Sequence, residues 1–158
     1  MDKATKRIAS EIKKFRDDPP PYVRSLHVDE LNTHVLFFLI DGPAETPFES
    51  GEYVMQIDLP KEYPWKAPQL RFLTPNGRFT VNKSICVAGI SNQHSADWTP
   101  QQTIMTILVS IISFMTEDSD LHLGAERTTE SEKRRLAAIS KNYNVRHGYY
   151  KMFESSSQ

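Results

Sequence analysis

At 158 residues, with 39% hydrophobic and 25% charged side chains, the chain has the size and make-up of one globular domain with a real core. A net charge of -1 argues against a general nucleic-acid binder, which needs an excess of Lys and Arg to neutralise phosphate. One cysteine makes no internal disulfide, the start Met1-Asp2-Lys3-Ala4-Thr5-Lys6 is too polar for a signal peptide, and the longest apolar run, 104–115, is broken by Thr106 and Ser110. The chain as given therefore reads as soluble and cytosolic.

In chain order, Ile8, Ile12 and Phe15 recur at i, i+4 and i+7 and predict a helix over 3–15, with Lys6, Lys13 and Lys14 on its other side. Asp17-Asp18 and the prolines 19–21 end it, because proline lacks the amide donor and disfavours helix in the residue before it. Strand-like runs follow at 34–40, 53–59 and 69–73, separated by Asp41-Gly42-Pro43 and by the turn-rich stretch 60–68.

The clearest helix is predicted to open at Thr99 as N-cap, with Pro100 in its first position and Gln102 as the capping-box partner. Its stripe of Ile104, Ile107, Leu108, Ile111, Ile112 and Met115 must face the core. Thr129-Glu130-Ser131-Glu132 is a second capping box, opening a helix whose apolar residues include Leu136, Ala137 and Ile139, and a last helix is expected over 145–153. Strands followed by helices imply an α+β fold with helices packed on one antiparallel sheet.

Cys86 is the one thiol, and its setting after the polar stretch 80–84 suits a partly exposed nucleophile; a packed small hydrophobe is the alternative. Asn76, in Thr74-Pro75-Asn76-Gly77-Arg78-Phe79, is a candidate donor to an oxyanion. The five histidines, His94 among them, show neither HExxH nor paired Cys/His spacing, so metal binding is poorly supported. Trp98 reads as core, whereas Trp65, between Pro64 and Lys66, suits an exposed anchor for a partner as well as it suits burial.

Taken together in order, Asp18-Pro19-Pro20, Gly42-Pro43, Thr46-Pro47-Phe48-Glu49, Gly51, Tyr63-Pro64-Trp65-Lys66-Ala67-Pro68, Asn76, Ile85-Cys86 and Trp98-Thr99-Pro100 resemble the ubiquitin-conjugating enzyme family over nearly the whole chain. Thr74 through Phe79, Ser113-Phe114-Met115, Leu123-Gly124 and Arg135-Leu136-Ala137-Ala138 resemble its tail-anchored branch, that of endoplasmic-reticulum-associated degradation. The resemblance implies the family's fold, a first helix, a four-stranded antiparallel meander, a central helix and C-terminal helices, as a single catalytic domain over 1–158. It implies that an activating enzyme passes ubiquitin to Cys86 as a thioester, that a substrate amine or hydroxyl attacks it, and that Asn76 stabilises the oxyanion or holds its loop. Trp65, Pro100 and Gln101 would contact a RING-type ligase, and Lys6 and Arg7 the activating enzyme. No membrane contact is expected unless a C-terminal anchor is missing from this chain, which would place the protein on the cytosolic face of the endoplasmic reticulum.

The chain departs from the family pattern in several places, among them Gln101 where a small residue often contacts the ligase and Ser10 where a lysine is common on the first helix. Thr74 replaces a histidine, and Asn76 stands two residues farther from Cys86 than usual, leaving Asn82 as an alternative donor. The loop 88–97 is long, and Glu117, Asp118 and Asp120 follow the central helix without a single one standing out. Three other readings remain: an enzyme for another ubiquitin-like modifier, a non-catalytic binding module, and a cysteine hydrolase using His94.

Overall fold

The computed structural model describes residues 2–85, 98–117 and 125–154. Helix α1 (Lys3–Asp17) is followed by strands β1 (Val23–Val28), β2 (Val35–Asp41), β3 (Glu52–Asp58) and β4 (Gln69–Phe72), then α2 (Ile104–Thr116), α3 (Glu130–Arg146) and α4 (Tyr149–Glu154). The strands form one antiparallel meander in the order β1-β2-β3-β4, as the resemblance implied.

Register explains the two-sided core. Leu26 pairs with Phe38, Phe38 with Met55 and Met55 with Phe72, so one row of large apolar side chains crosses all four strands. All four belong to the main core, where the α2 residues Ile107, Leu108, Ile111 and Ile112 meet them together with Ile8 and Phe15 of α1. Each fully buried side chain of this size contributes about 1.5–3 kcal/mol relative to exposure. Their neighbours along the strands, Leu39 and Val54, point to the opposite face because strand side chains alternate, and there they pack with Leu73 and with Phe153 of α4.

Two predicted boundaries are corrected. The 104–115 stripe is buried throughout, but α2 is capped by Thr103, not Thr99: the Thr103 hydroxyl accepts the Thr106 N–H and the Thr106 hydroxyl accepts the Thr103 N–H. Residues 99–102 instead form a turn, closed by the Gln102 N–H on the Thr99 carbonyl at 3.1 Å. The last helix begins at Tyr149, because Val145 and Arg146 still belong to α3 and Gly148, at φ 71°, breaks the helical run. In α3 the Thr129 cap holds, yet Ile139 is exposed and the buried stripe is Ala137, Ser140 and Asn144. The residue pattern also gave no sign of β1. Its alternation is interrupted by a register shift between Val23 and Ser25.

Candidate active site

β4 ends at Phe72, and the chain then turns through residues 73–79. The turn rests on Asn76, whose side-chain oxygen accepts the N–H groups of Arg78 at 2.9 Å and Phe79 at 2.8 Å, while its Nδ2 donates to the Thr74 carbonyl at 3.0 Å. An amide nitrogen carries two protons, and among the described residues nothing accepts the second. Asn76 is fully buried, so its orientation is fixed by these bonds.

The turn is clamped from outside as well. Gly77 takes φ 82°, a left-handed conformation that glycine adopts without cost, and a side chain there would meet the Thr128 hydroxyl at 2.7 Å. That hydroxyl donates to the Gly77 carbonyl at 2.6 Å, and the Glu126 N–H reaches the Arg78 carbonyl at 2.7 Å. Arg78 donates from Nε at 3.1 Å to the Phe114 carbonyl, which also accepts the Glu117 N–H at the end of α2. Phe79 then stacks on Phe72 at 5.5 Å.

Thr74, which replaces the histidine of the family pattern, is also fully buried. Its hydroxyl accepts the Val54 N–H at 2.9 Å and donates to Asn144 Oδ1 at 2.7 Å. Beyond the turn, the chain comes back beside β4: the Asn82 N–H bonds the Phe72 carbonyl at 2.8 Å and the Ile85 N–H the Leu70 carbonyl at 2.9 Å. Ile85 is thereby buried in the core. Cys86, the residue after it, lies outside the described residues, as do His94, Asp118 and Asp120. Asn82 is exposed at φ 62°, the geometry of a turn residue.

The partner-contact candidates gather around the start of α2. Trp65 is 73% exposed, and its loop is tied to Trp98, whose Nε1 donates to the Pro64 carbonyl at 2.7 Å. The peptide bond between Tyr63 and Pro64 is cis. Lys6 and Gln101 are exposed. Arg7 is turned inward: its Nη2 donates to the carbonyls of Pro100 at 2.9 Å and Gln102 at 3.0 Å, and its Nε pairs with Glu11 at 2.8 Å.

Sequence reasoning missed Glu11. This buried carboxylate accepts the Tyr63 hydroxyl at 2.5 Å and the N–H of Ile104, the first residue of α2, at 2.6 Å. Burial, and then the bond to Glu11, push the Tyr63 phenol far above its usual range. The signal was present in principle, because Glu11 interrupts the apolar face set by Ile8 and Phe15, and a charge there demands a partner. Asn144 carried no comparable signal. Among the described residues, no cluster of three or more His, Cys, Asp or Glu side chains is placed to hold a metal ion, and no helix is long and apolar enough to cross a membrane.

Residues 7–143 match the family described as "Ubiquitin-conjugating enzyme". The chain is similar to ubiquitin-conjugating enzyme E2 6 of Eremothecium gossypii, at 39% identity over 90% of this chain and 57% of the relative. It is likewise similar to ubiquitin-conjugating enzyme E2 J2 of Homo sapiens, at 34% identity over 90% of this chain and 54% of that protein. The chain thus spans about half the length of the curated relatives it matches. A crystal structure of a candidate ubiquitin conjugating enzyme from Plasmodium yoelii has the same fold, with a TM-score of 0.70 at 20% identity, covering 90% of this chain and 96% of that one.

Proposed function

The chain belongs to the ubiquitin-conjugating enzyme family, and on that premise we propose that residues 1–158 act as one catalytic domain that carries ubiquitin on Cys86. The Cys86 thiolate attacks the thioester by which an activating enzyme holds ubiquitin, and the activating enzyme's thiolate leaves. A substrate amine, or a hydroxyl, then attacks the new thioester carbonyl. The tetrahedral oxyanion collapses, the Cys86 thiolate leaves and the nucleophile loses a proton. Nothing in this sequence requires a metal or bound cofactor, since a thioester is already activated toward amines.

The observation that carries this reading is the Asn76 turn. A buried amide whose oxygen is committed to two backbone N–H groups, and which keeps one N–H without a described acceptor, is a preorganised donor for an oxyanion. It suits the role better than the exposed Asn82.

Trp65, Pro100 and Gln101 are read as the surface for a RING-type ligase, because an exposed tryptophan on a loop tethered to the Trp98–Pro100 segment is a typical anchor. Lys6 is read as a contact for the activating enzyme, and Arg7 as supporting that surface from beneath. The relatives named E2 6 and E2 J2 favour the tail-anchored branch and a degradative role. We accordingly place the domain in the cytoplasm, and on the cytosolic face of the endoplasmic reticulum where the whole protein carries an anchor.

The test is a charging assay with ubiquitin, ATP and an activating enzyme on non-reducing gels, with Cys86→Ser alongside. The expected result is a thiol-sensitive adduct on the wild type, replaced in the variant by a thiol-resistant ester or by nothing. A wild type that never charges moves the function to another ubiquitin-like modifier or to a binding role, and repeating the assay with those modifiers separates the two.

A further inference from the structure

We propose that Asn144, on α3, is a positioning residue for acyl transfer, acting through Thr74 on the turn that presents the Asn76 amide. The inference rests on the reading of Asn76 given above. Thr74, Asn76 and Asn144 are each 0% exposed.

The proton pattern among them is fixed by counting. A hydroxyl has one proton to give. Thr74 Oγ1 already accepts the Val54 N–H at 2.9 Å, so its proton goes to an acceptor, and Asn144 Oδ1 stands at 2.7 Å. The Asn144 amide has only one orientation compatible with this, because its Nδ2 donates to the Glu52 carbonyl at 2.9 Å. Two points on β3, Glu52 and Val54, therefore hold the Asn144–Thr74 pair from both ends. The carbonyl of the same Thr74 then accepts the Asn76 Nδ2–H at 3.0 Å.

A bond that merely fastens α3 to the sheet is already supplied one turn earlier. Ser140 accepts the Glu52 N–H at 2.9 Å from the same face of the helix. What Asn144 adds is a grip on Thr74, the residue whose carbonyl orients the Asn76 amide. A histidine is absent at position 74, and the short threonine hydroxyl, which also accepts the Val54 N–H, is joined to α3 through Asn144. Displacement of a catalytic group by about 1 Å costs as much as about 10²-fold in rate, so loss of the grip should be visible in the chemical step.

The experiment measures single-turnover discharge of pre-charged enzyme to free lysine, for Asn144→Ala, Thr74→Val, Thr74→Ser and Asn76→Ala, and for Asn144→Ala combined with Asn76→Ala. Asn144→Ala and Thr74→Val should each slow discharge by about 10- to 10²-fold. Thr74→Ser, which keeps the hydroxyl, should recover the rate lost in Thr74→Val, and Asn144→Ala should add nothing once Asn76 is alanine. If Asn144→Ala fails to fold, the Thr74→Val and Thr74→Ser pair decides alone. An Asn144→Ala rate equal to wild type, with only the unfolding midpoint lowered, overturns the proposal while leaving the Asn76 reading intact. Equal slowing in the wild-type and Asn76→Ala backgrounds overturns it too. A wild type that takes up no ubiquitin, or an Asn76→Ala variant with full activity, overturns the underlying reading and this inference with it.

Discussion

Arg7 on α1 and Pro100 at the approach to α2 are joined by a 2.9 Å bond from the guanidinium to the backbone carbonyl. Glu11 sits beneath, taking the Arg7 Nε, the Tyr63 hydroxyl and the Ile104 N–H. One buried carboxylate thus fastens the first helix, the loop that carries Trp65 and the start of the central helix. Replacing it with glutamine would put an NH2 group among three donors, and breaking a buried charged pair costs about 3–5 kcal/mol. Glu11→Gln should lower the urea midpoint by the equivalent of about 3 kcal/mol with an unchanged slope. A loss under about 1 kcal/mol, the worth of an exposed pair, would contradict the buried network.

Glu52 supplies the acid-sensitive side of the fold. Burial pushes its pKa up, but the Tyr150 hydroxyl and Arg24, with help from Lys141, outweigh burial and hold it below the ordinary 4.5. A carboxylate with a depressed folded pKa contributes stability that is complete above its unfolded value and is lost as pH falls through the folded one. Urea midpoints of wild type and Glu52→Gln should differ by a constant amount from pH 7 down to about 4.5, then converge on further acidification. A gap that widens in acid would show that Glu52 is not stabilised as the carboxylate.

Trp65 offers the opposite profile, being 73% exposed on a loop tethered through Trp98. Trp65→Ala should leave stability within about 0.5 kcal/mol of wild type. Ligase-stimulated discharge should fall by about 30-fold, the equivalent of about 2 kcal/mol at an interface anchor. Full stimulation in that variant would remove Trp65 from the ligase surface.

The elements legible in the sequence are those whose side chains report burial directly. The α2 stripe was readable because six aliphatic side chains repeat at helical spacing, and all six are buried. The start of α2 was not, because Thr99 and Thr103 each offer a hydroxyl before a plausible partner. The structure favours Thr103: Arg7, from the far end of the chain, binds the Pro100 and Gln102 carbonyls and holds 99–102 as a turn. The packing of α3 escaped for a related reason. Its buried face is Ala137, Ser140 and Asn144, which no hydrophobic pattern can reveal. Around the turn after β4, Thr128 and Asn144 bind groups distant in sequence and leave no local trace, whereas Glu11 leaves one, a charge within the apolar face of α1.

Glu11 precedes by 93 positions the residue whose amide it caps. At about 5–20 residues per second, synthesis leaves it waiting roughly 5–20 seconds for Ile104 to emerge. Throughout that interval the carboxylate has Arg7 from its own helix, and Tyr63 once that loop emerges, but lacks the Ile104 amide, so burying it would leave part of its hydrogen-bonding capacity unmet. The last of the three donors to Glu11 to be synthesised is therefore the amide that opens the central helix.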